Sequence, residues 1–244
     1  MQIGTLPRCF ALVPCAGVGS RAGVGGPKQY HPVAGRPVVA HTLAALAQVS
    51  RLEATLVVLS PEDRQFEAVV PGFEGERGWV ARCGGATRAE SVAAGLQAML
   101  ERGVQPHDWV LVHDAARCLI QPGWVDRLLD ACADDEVGGL LALPLADTLK
   151  EEVGSADLTS PGPRVARTID RSGKWAAQTP QMFRLGLLRP ALLHAQASGS
   201  AVTDESSAIE ALGHAPRLVR GDAFNVKVTW PEDFALAERL LGGR

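Results

Sequence analysis

The sequence predicts an α/β fold in which a mostly parallel, twisted β-sheet is flanked by helices and carries an inserted β-arm. Short apolar runs rich in valine and leucine alternate with helical patterns along most of the 244 residues, which is typical of a parallel sheet covered by helices. The alternation breaks once, at residues 145–178, where turn-forming and alternating side chains predominate. We expect one domain over residues 1–244, since this length and 46% apolar content suffice for a single core.

The individual elements follow from the apolar pattern. The predicted strands are apolar on both faces, as in the buried strands of a parallel sheet, and they span residues 10–13, 55–59, 79–82, 109–113 and 139–143. Helical patterns between them cover residues 37–49, 62–70, 88–100 and 123–133. The last part of the chain predicts short strands at 217–220 and 225–228 and helices at 184–196, 204–212 and 231–241.

The segment 145–178 is predicted to form the β-arm. Glycine and proline between residues 154 and 163 indicate turns, and the alternating stretch 165–170 is typical of a strand that ends at a turn over 171–174. An isolated hairpin is only marginally stable in water, so the arm needs a surface on which to dock. We expect a second copy of the chain to supply that surface, which predicts a homodimer.

Composition excludes several classes of partner. The 24 basic and 27 acidic side chains give a net charge of -3, which argues against a nucleic-acid partner. No apolar run reaches membrane-spanning length, and the N-terminus lacks the pattern of a signal peptide. The five cysteines form no C-x-x-C pair, so we interpret them as reduced thiols. We therefore expect a cytoplasmic protein that binds neither nucleic acid nor membrane.

A glycine-rich loop at residues 14–28 follows the first apolar strand and predicts phosphate binding. Its glycines allow backbone N–H groups to approach an anion, and Arg21 and Lys28 add two cations. The alternative interpretation is a surface turn with two solvated charges. The loop is not a Walker motif, because Lys28 is followed by Gln29 and not by serine or threonine. Cys15 lies in the loop without a neighbouring base, so we do not expect it to act as a nucleophile.

Asp114 directly follows the predicted strand 109–113, at the sheet edge where open α/β proteins bind ligands. A strand-end carboxylate beside nucleotide phosphates favours a ribose contact or Mg²⁺, although such an aspartate can also cap a helix. The neighbouring His113 has no partner in the sequence and is interpreted as structural.

Two further segments are candidates for ligand contacts. The glycine turn over residues 83–91 could let a nucleobase lie against the backbone, with Ser91 reading its edge; a plain turn capped by Thr87 explains the same residues. Lys227 lies in an apolar stretch, where a buried ammonium is costly unless an anion meets it. A phosphate contact is favoured there over a lysine that reaches out to solvent.

Taken together, six ordered motifs resemble those of the 2-C-methyl-D-erythritol 4-phosphate cytidylyltransferase family. They lie at residues 14–28, 113–117, 147–150, 179–181, 203–205 and 225–229, so the resemblance covers nearly the whole chain. It implies a Rossmann-like nucleotidyltransferase fold and a magnesium-dependent enzyme of non-mevalonate isoprenoid biosynthesis. Such an enzyme joins CTP to the polyol phosphate 2-C-methyl-D-erythritol 4-phosphate and releases pyrophosphate.

The resemblance also implies roles for individual residues. Four cations are implied as catalytic, namely Arg21, Lys28, Arg171 and Lys227. The cytidine and ribose pocket is implied to consist of Cys15, Ala16, Gly17, Gly85, Ala86 and Ser91. Substrate contacts are implied for Asp114, Arg117, Thr148 and Thr179, with Asp114 also contacting Mg²⁺.

The chain departs from the family pattern at two positions. Cys118 stands where a proline is common, and Ala86 stands where an acidic residue is common, which puts the turn geometry and one base contact in question. Neither change removes a charged catalytic group.

Two other functions are compatible with parts of the pattern. A ribitol 5-phosphate cytidylyltransferase would use the same phosphate-binding residues. A non-catalytic nucleotide-binding regulator is disfavoured, because binding alone does not need Arg21, Lys28, Asp114 and Lys227 together. Some relatives carry a fused cyclodiphosphate synthase domain, but the sequence ends soon after the terminal helix, so we expect a single activity.

Overall fold

The structure is a computed structural model that describes residues 6–17, 19, 22–153, 162–199 and 202–243. Its centre is a seven-stranded sheet with helices on both faces, which confirms the predicted fold class. Arg21, one of the predicted catalytic cations, lies outside the described residues.

The first part of the chain alternates strands and helices as predicted. Its strands are β1 (Cys9–Pro14), β2 (Pro32–Val33), β3 (Arg36–Pro37), β4 (Leu52–Val58), β5 (Gly78–Ala81) and β6 (Trp109–Val112). Its helices are α1 (Val38–Ala47), α2 (Phe66–Val69), α3 (Arg88–Glu101) and α4 (Pro122–Cys132), with a 3₁₀ turn at Lys28–Tyr30.

The second part contains the arm and completes the sheet. Its strands are β7 (Gly138–Pro144), β8 (Leu149–Glu152), β9 (Val165–Ile169), β10 (Trp175–Arg184) and β11 (Arg217–Arg220). Its helices are α5 (Leu185–Ala197), α6 (Glu205–Ala211) and α7 (Pro231–Gly242).

The strand order of the central sheet places two loops side by side. The order is β11-β7-β10-β6-β1-β4-β5, with β10 antiparallel to both of its neighbours and every other pair parallel. The chain leaves β1 toward β4 and β5 and then returns to β6 on the other side of β1. This reversal opens a crevice at the carboxyl ends of β1 and β6, where ligands bind in open α/β sheets.

The core forms one layer on each face of the sheet. Helices α1 and α4 pack on one face, and α3, α5 and α6 pack on the other. Gly95 permits α3 to approach the sheet, since a Cβ there would lie 2.6 Å from Val58 Cγ2 and 2.9 Å from Leu12 Cδ1. A shift of α3 would move the glycine turn that precedes it, so this packing also positions the crevice.

The arm is a two-stranded antiparallel ribbon of β8 and β9, but it ends earlier than predicted. Residues 175–178, assigned to the arm from the sequence, begin β10, and residues 175–177 pair with β7 inside the central sheet. The sequence hides this strand because Gln178, Thr179 and Pro180 interrupt its apolar pattern. Proline normally argues against a central strand, and here the register with β7 shifts between Ala177 and Gln181.

Two other local predictions are wrong. Residues 225–228 form no strand, because their backbone groups hydrogen-bond to the loop after β6 and not to another strand. Arg117 Nη1 donates to Asn225 O, and the Val228 N–H donates to Ala116 O. The helix predicted at 62–70 is limited to Phe66–Val69, since Asp63 Oδ1 accepts from the backbone N–H groups of residues 65 and 66 and the helix starts only after them.

In the part of the chain that the structure describes, no helix is both long and apolar enough to cross a membrane.

Candidate active site

A groove of about 460 Å³ lies at the carboxyl ends of β1 and β6. Four segments contribute to it: the glycine-rich loop after β1, the glycine turn before α3, the loop after β6 and the segment before α7 that carries Lys227. Nine of the residues predicted for the site line it, namely Cys15, Ala16, Gly17, Lys28, Gly85, Ala86, Ser91, Asp114 and Lys227.

A second pocket of about 230 Å³ lies beside the groove. Two more predicted residues, Arg117 and Thr179, line this second pocket. Asp114 and Lys227 line both spaces, so they stand at the boundary between them. Arg88 also lines both spaces, so the two adjoining binding volumes meet at one carboxylate and two cations.

The glycine-rich loop is held by Gln29, which the sequence analysis did not assign to the site. Gln29 is 5% exposed, and its Nε2 donates to Cys15 O at 3.0 Å and to Gly17 O at 2.9 Å. Gly19 has φ +65°, and a Cβ there would lie 2.6 Å from Lys28 Cγ and Cδ. Lys28 therefore lies along the loop backbone, and its Nζ donates to Val228 O at 2.8 Å.

The glycine turn before α3 contacts the first loop directly. A Cβ at Gly84 would lie 2.3 Å from the Cβ of Ala16, so the two loops meet only because residue 84 is glycine. Ser91 Oγ accepts from the Gly85 N–H at 3.1 Å and donates to Thr87 O at 2.9 Å. Ser91 thus supports the turn, and its predicted contact with a base stays a prediction.

The helix-capping interpretation of this turn holds at the same time. Thr87 is the N-cap of α3, where it forms a capping box with Glu90. Glu90 Oε2 also accepts from the Ala86 N–H at 2.8 Å. The cap fixes the shape of the turn, and the turn lines the groove, so the capping role leaves room for the predicted ligand contact.

Asp114 is the electrostatic centre of the two pockets. Its Oδ1 accepts from Arg88 Nε at 2.9 Å, and its Oδ2 lies 2.9 Å from Lys227 Nζ and 3.6 Å from Arg117 Nε. Burial alone would raise the pKa of this carboxyl, but the charges of Arg88, Lys227 and Arg117 lower the pKa well below its usual range. Asp114 is therefore ionised at any physiological pH.

The geometry around Asp114 does not fit its predicted role as a Mg²⁺ ligand. Each of its oxygens already lies 2.9 Å from a cation, Arg88 on one side and Lys227 on the other. A metal ion at this carboxylate would face three basic groups. In addition, the described residues contain no cluster of three or more His, Cys, Asp or Glu side chains placed to hold a metal.

His113 has a structural role, as predicted from the sequence. It is fully buried, its Nε2 lies 3.3 Å from Arg117 O, and its Nδ1 lies 3.0 Å from Thr179 Oγ1. These contacts suit a neutral ring that donates from Nε2, while the threonine hydroxyl accepts from the Asp114 N–H at 3.1 Å. Thr179 therefore orients the backbone at Asp114.

Burial lowers the pKa of His113 to about 4, which predicts a pH-dependent stability. The unfolded chain takes up a proton near pH 6.5 and the folded chain only near pH 4, so lowering the pH in this window favours unfolding. Between about pH 7 and about pH 5, this residue should remove about 2 kcal/mol from the free energy of unfolding. Urea denaturation at both pH values measures the loss. The His113→Gln variant should show a smaller loss, and equal losses in both proteins would contradict the assignment.

The predicted arm residues are not brought to either pocket within one chain. Thr148 and Arg171 are exposed, and neither lines the groove or its neighbour. Arg171 lies in the turn after β9, where its carbonyl accepts from the Lys174 N–H. Their predicted contacts with substrate stay predictions.

Arg88, which lines both pockets, forms an ion pair that the sequence did not indicate. Arg88, the first residue of α3, donates to both oxygens of Glu205, the first residue of α6, as well as to Asp114. Arg88 and Glu205 are 117 positions apart in the chain. Glu205 lies in the motif at residues 203–205, but the sequence carried no signal that its partner is Arg88.

Comparisons with known proteins agree with this architecture. Residues 9–243 match the family model described as 2-C-methyl-D-erythritol 4-phosphate cytidylyltransferase. A protein of that name from Paraburkholderia phytofirmans is 55% identical over 234 residues, which cover 96% of each chain. The bifunctional enzyme IspD/IspF of Albidiferax ferrireducens is 58% identical over 240 residues, which cover 98% of this chain and 54% of that longer protein.

Solved structures show the same likeness in three dimensions. A crystal structure of a 4-diphosphocytidyl-2C-methyl-D-erythritol synthase is 38% identical with a TM-score of 0.82, over 96% of this chain and 99% of that one. The 2-C-methyl-D-erythritol 4-phosphate cytidylyltransferase of Thermus thermophilus is 34% identical with a TM-score of 0.75, over 96% and 98% of the two chains. The family resemblance predicted from the six motifs is thus confirmed, and this chain belongs to the 2-C-methyl-D-erythritol 4-phosphate cytidylyltransferase family of nucleotidyltransferases.

Proposed function

We propose that this chain joins CTP to 2-C-methyl-D-erythritol 4-phosphate, giving 4-diphosphocytidyl-2-C-methyl-D-erythritol and pyrophosphate for isoprenoid precursor synthesis. The observation that carries the proposal is the pair of pockets that meet at Asp114 and Lys227. The larger groove has the glycine loops suited to a nucleotide, and the smaller pocket can hold the polyol phosphate beside it. A transfer between two bound substrates needs this adjacency.

The reaction requires no nucleophile from the protein. The phosphate oxygen of the polyol attacks the α-phosphorus of CTP, a new P–O bond forms in line, and the bond to the β-phosphate breaks as pyrophosphate leaves. A phosphate monoester has a second pKa of about 6, so the attacking group is already mostly a dianion at neutral pH. Cys15 is an unsuitable nucleophile, because burial raises the pKa of its thiol far above the usual range.

Cations of the chain stabilise the charge that develops during this transfer. Lys28 lies along the glycine-rich loop and is assigned to the phosphates of CTP, together with Arg21. Lys227 stands between the two pockets and is assigned to the attacking phosphate. Asp114 fixes the position of Lys227. Its carboxylate, which lines both pockets, is assigned to the polyol hydroxyls.

Mg²⁺ enters the proposal only as a companion of CTP. The ion binds readily through nucleotide phosphate oxygens and water, and when bound it would offset phosphate charge. Because both oxygens of Asp114 are paired with cations, no residue of this chain is assigned to the metal.

We extend the proposal to the organisation of the molecule. Residues 1–244 are taken as one domain, with the arm of β8 and β9 as a dimerisation element. Val153 and Val165 on this ribbon are 51% and 60% exposed, and burying them against a second copy would be favourable. Arg171 and Thr148 would then contact the polyol phosphate in the partner's site.

The five free cysteines support a reducing, cytoplasmic location.

Pyrophosphate release tests the proposal and its nearest alternative. Wild-type protein should release pyrophosphate from CTP with 2-C-methyl-D-erythritol 4-phosphate, and ribitol 5-phosphate should support a much lower specificity constant. Preference for ribitol 5-phosphate would reassign the substrate. Release with neither polyol, despite CTP binding, would favour the nucleotide-binding regulator.

The same assay tests whether the enzyme selects cytosine over uracil in its nucleotide substrate. Replacing CTP by UTP should lower kcat/KM by at least about a hundredfold. Hydrogen-bond acceptors arranged for the cytosine amino group would face a uracil carbonyl, which cannot donate to them. We assign the recognition of this edge of the base to the backbone groups of the two glycine turns, which line the groove. Comparable kcat/KM values for CTP and UTP would contradict the cytidine assignment.

A further inference from the structure

Glu205 is a buried carboxylate to which the proposed reaction gives no role. It is the first residue of α6, and its side chain is 0% exposed. An ionised carboxylate is costly to remove from water unless it is paired. Its Oε1 accepts from Arg88 Nη1 at 2.6 Å, and its Oε2 accepts from Arg88 Nη2 at 3.1 Å.

This bidentate pairing fixes the direction of a third donor. The guanidinium of Arg88 is planar, so holding its two terminal nitrogens also sets where Nε points. Nε donates to Asp114 Oδ1 at 2.9 Å, on the side of the carboxylate away from Lys227. The orientation of Asp114 thus depends on a plane that Glu205 holds.

The position of Arg88 in its helix favours a role beyond helix stability. It is the first residue of α3, where the helix dipole disfavours a positive charge. Burial would lower the pKa of Arg88, but the charges of Glu205 and Asp114 raise it, so the residue stays protonated. The cation is held at an unfavourable helix end by the two carboxylates.

The start of α6 is itself attached to the central sheet. Gln181 of β10 is 1% exposed, and it accepts from the Ser206 N–H and donates to Asp204 Oδ2, both at 2.8 Å. Gln181 pairs in register with Val112, the last residue of β6. Glu205 therefore has a fixed position relative to β6, the strand that leads to Asp114.

We infer that Glu205 is a positioning residue for the transfer, which acts by holding the Arg88 guanidinium against Asp114 and thereby keeps Lys227 at the boundary between the two pockets. This inference rests on the proposed function. If Glu205 only joined α6 to α3, its loss would lower stability and leave turnover unchanged. As a positioning residue, Glu205 also affects turnover.

The Glu205→Gln variant tests the inference, because it keeps the shape of the side chain and removes its charge. We expect kcat at saturating CTP and 2-C-methyl-D-erythritol 4-phosphate to fall about ten- to hundredfold, since a small misplacement of reacting groups has effects of this size. The KM for CTP should change less than about threefold, because Glu205 does not line the nucleotide groove and Arg88, which does, keeps its charge. In an Arg88→Lys background, Glu205→Gln should cause no further loss.

Asp108→Asn is the matched control. Asp108 is equally buried and pairs with Arg8 at 2.7 Å, but it precedes β6, at the opposite end of that strand from Asp114. Both variants should lower the melting temperature, and only Glu205→Gln should lower kcat. A Glu205→Gln protein with a lowered melting temperature and kcat within about twofold of wild type would overturn the inference.

Arg88→Lys keeps the test decisive if Glu205→Gln does not fold. Lysine retains the charge but cannot contact both carboxylates in one plane, so the same fall in kcat is expected. Wild-type kcat in Arg88→Lys, or multiplied losses in the double variant, would overturn the inference. Failure of the proposed function is a separate result, because it would appear as absent pyrophosphate release in the wild-type protein.

Discussion

Replacing Lys28 by alanine should lower kcat by at least about a hundredfold, the size of effect seen when one transition-state donor is removed. Negative charge grows on the α-phosphoryl oxygens and on the leaving pyrophosphate, and Lys28 lines the groove assigned to these groups. The KM for CTP should change much less, because the cation acts mainly on charge that develops in the transition state. We expect the same result for Arg21→Ala. Steady-state kinetics with CTP varied at saturating polyol phosphate provide the measurement.

The contacts of Lys28 call for a control that separates charge from packing. Its stem lies against Gly19, and its Nζ donates to Val228 O next to Lys227, so alanine removes packing as well as charge. Lys28→Met keeps an apolar stem of similar length and should lose as much turnover as alanine. Near-wild-type turnover with only a raised KM in Lys28→Ala, or recovery of activity in Lys28→Met, would show that the charge is not what matters.

The glycine loops and Asp114 could be placed from sequence because a parallel sheet brings successive strand ends to one edge. The glycine-rich loop follows β1, and Asp114 follows β6, the direct neighbour of β1. The positions of these motifs after parallel strands therefore predicted that they lie together at one edge of the sheet. The loop residues also have unusual local requirements, such as the positive φ of Gly19, that leave a recognisable composition.

The supporting contacts could not be predicted, because ordinary polar residues make them across long stretches of chain. The Arg88 and Glu205 pair spans 117 positions, and the amide of Gln29 differs in no way from that of a surface glutamine until the fold buries it. Strand β10 was missed for a related reason. Its polar residues, including Gln181, are satisfied by specific neighbours in the folded sheet, so they do not follow the apolar alternation that marks a strand.

The dimeric part of the proposal predicts that two inactive variants can restore each other. Arg171→Ala and Lys28→Ala should each be nearly inactive alone, because one lacks a cation for the polyol phosphate and the other a cation for CTP. If Arg171 reaches the partner's site, a mixed dimer has one site with both defects and one with neither. Random exchange makes half of the dimers mixed, each with one intact site of two, so about a quarter of wild-type activity should return.

Two controls make this complementation specific to the arm. Mixing Lys227→Ala with Lys28→Ala should restore nothing, because both residues line the groove of their own chain and every site keeps one defect. Arg167→Ala removes a cation from the same ribbon, where it pairs with Glu151, and should remain active alone. Differently tagged subunits, captured together, verify exchange. If mixed dimers form and the Arg171→Ala and Lys28→Ala mixture stays as inactive as its components, Arg171 acts within its own subunit. The exposed ribbon would then serve association without completing the site.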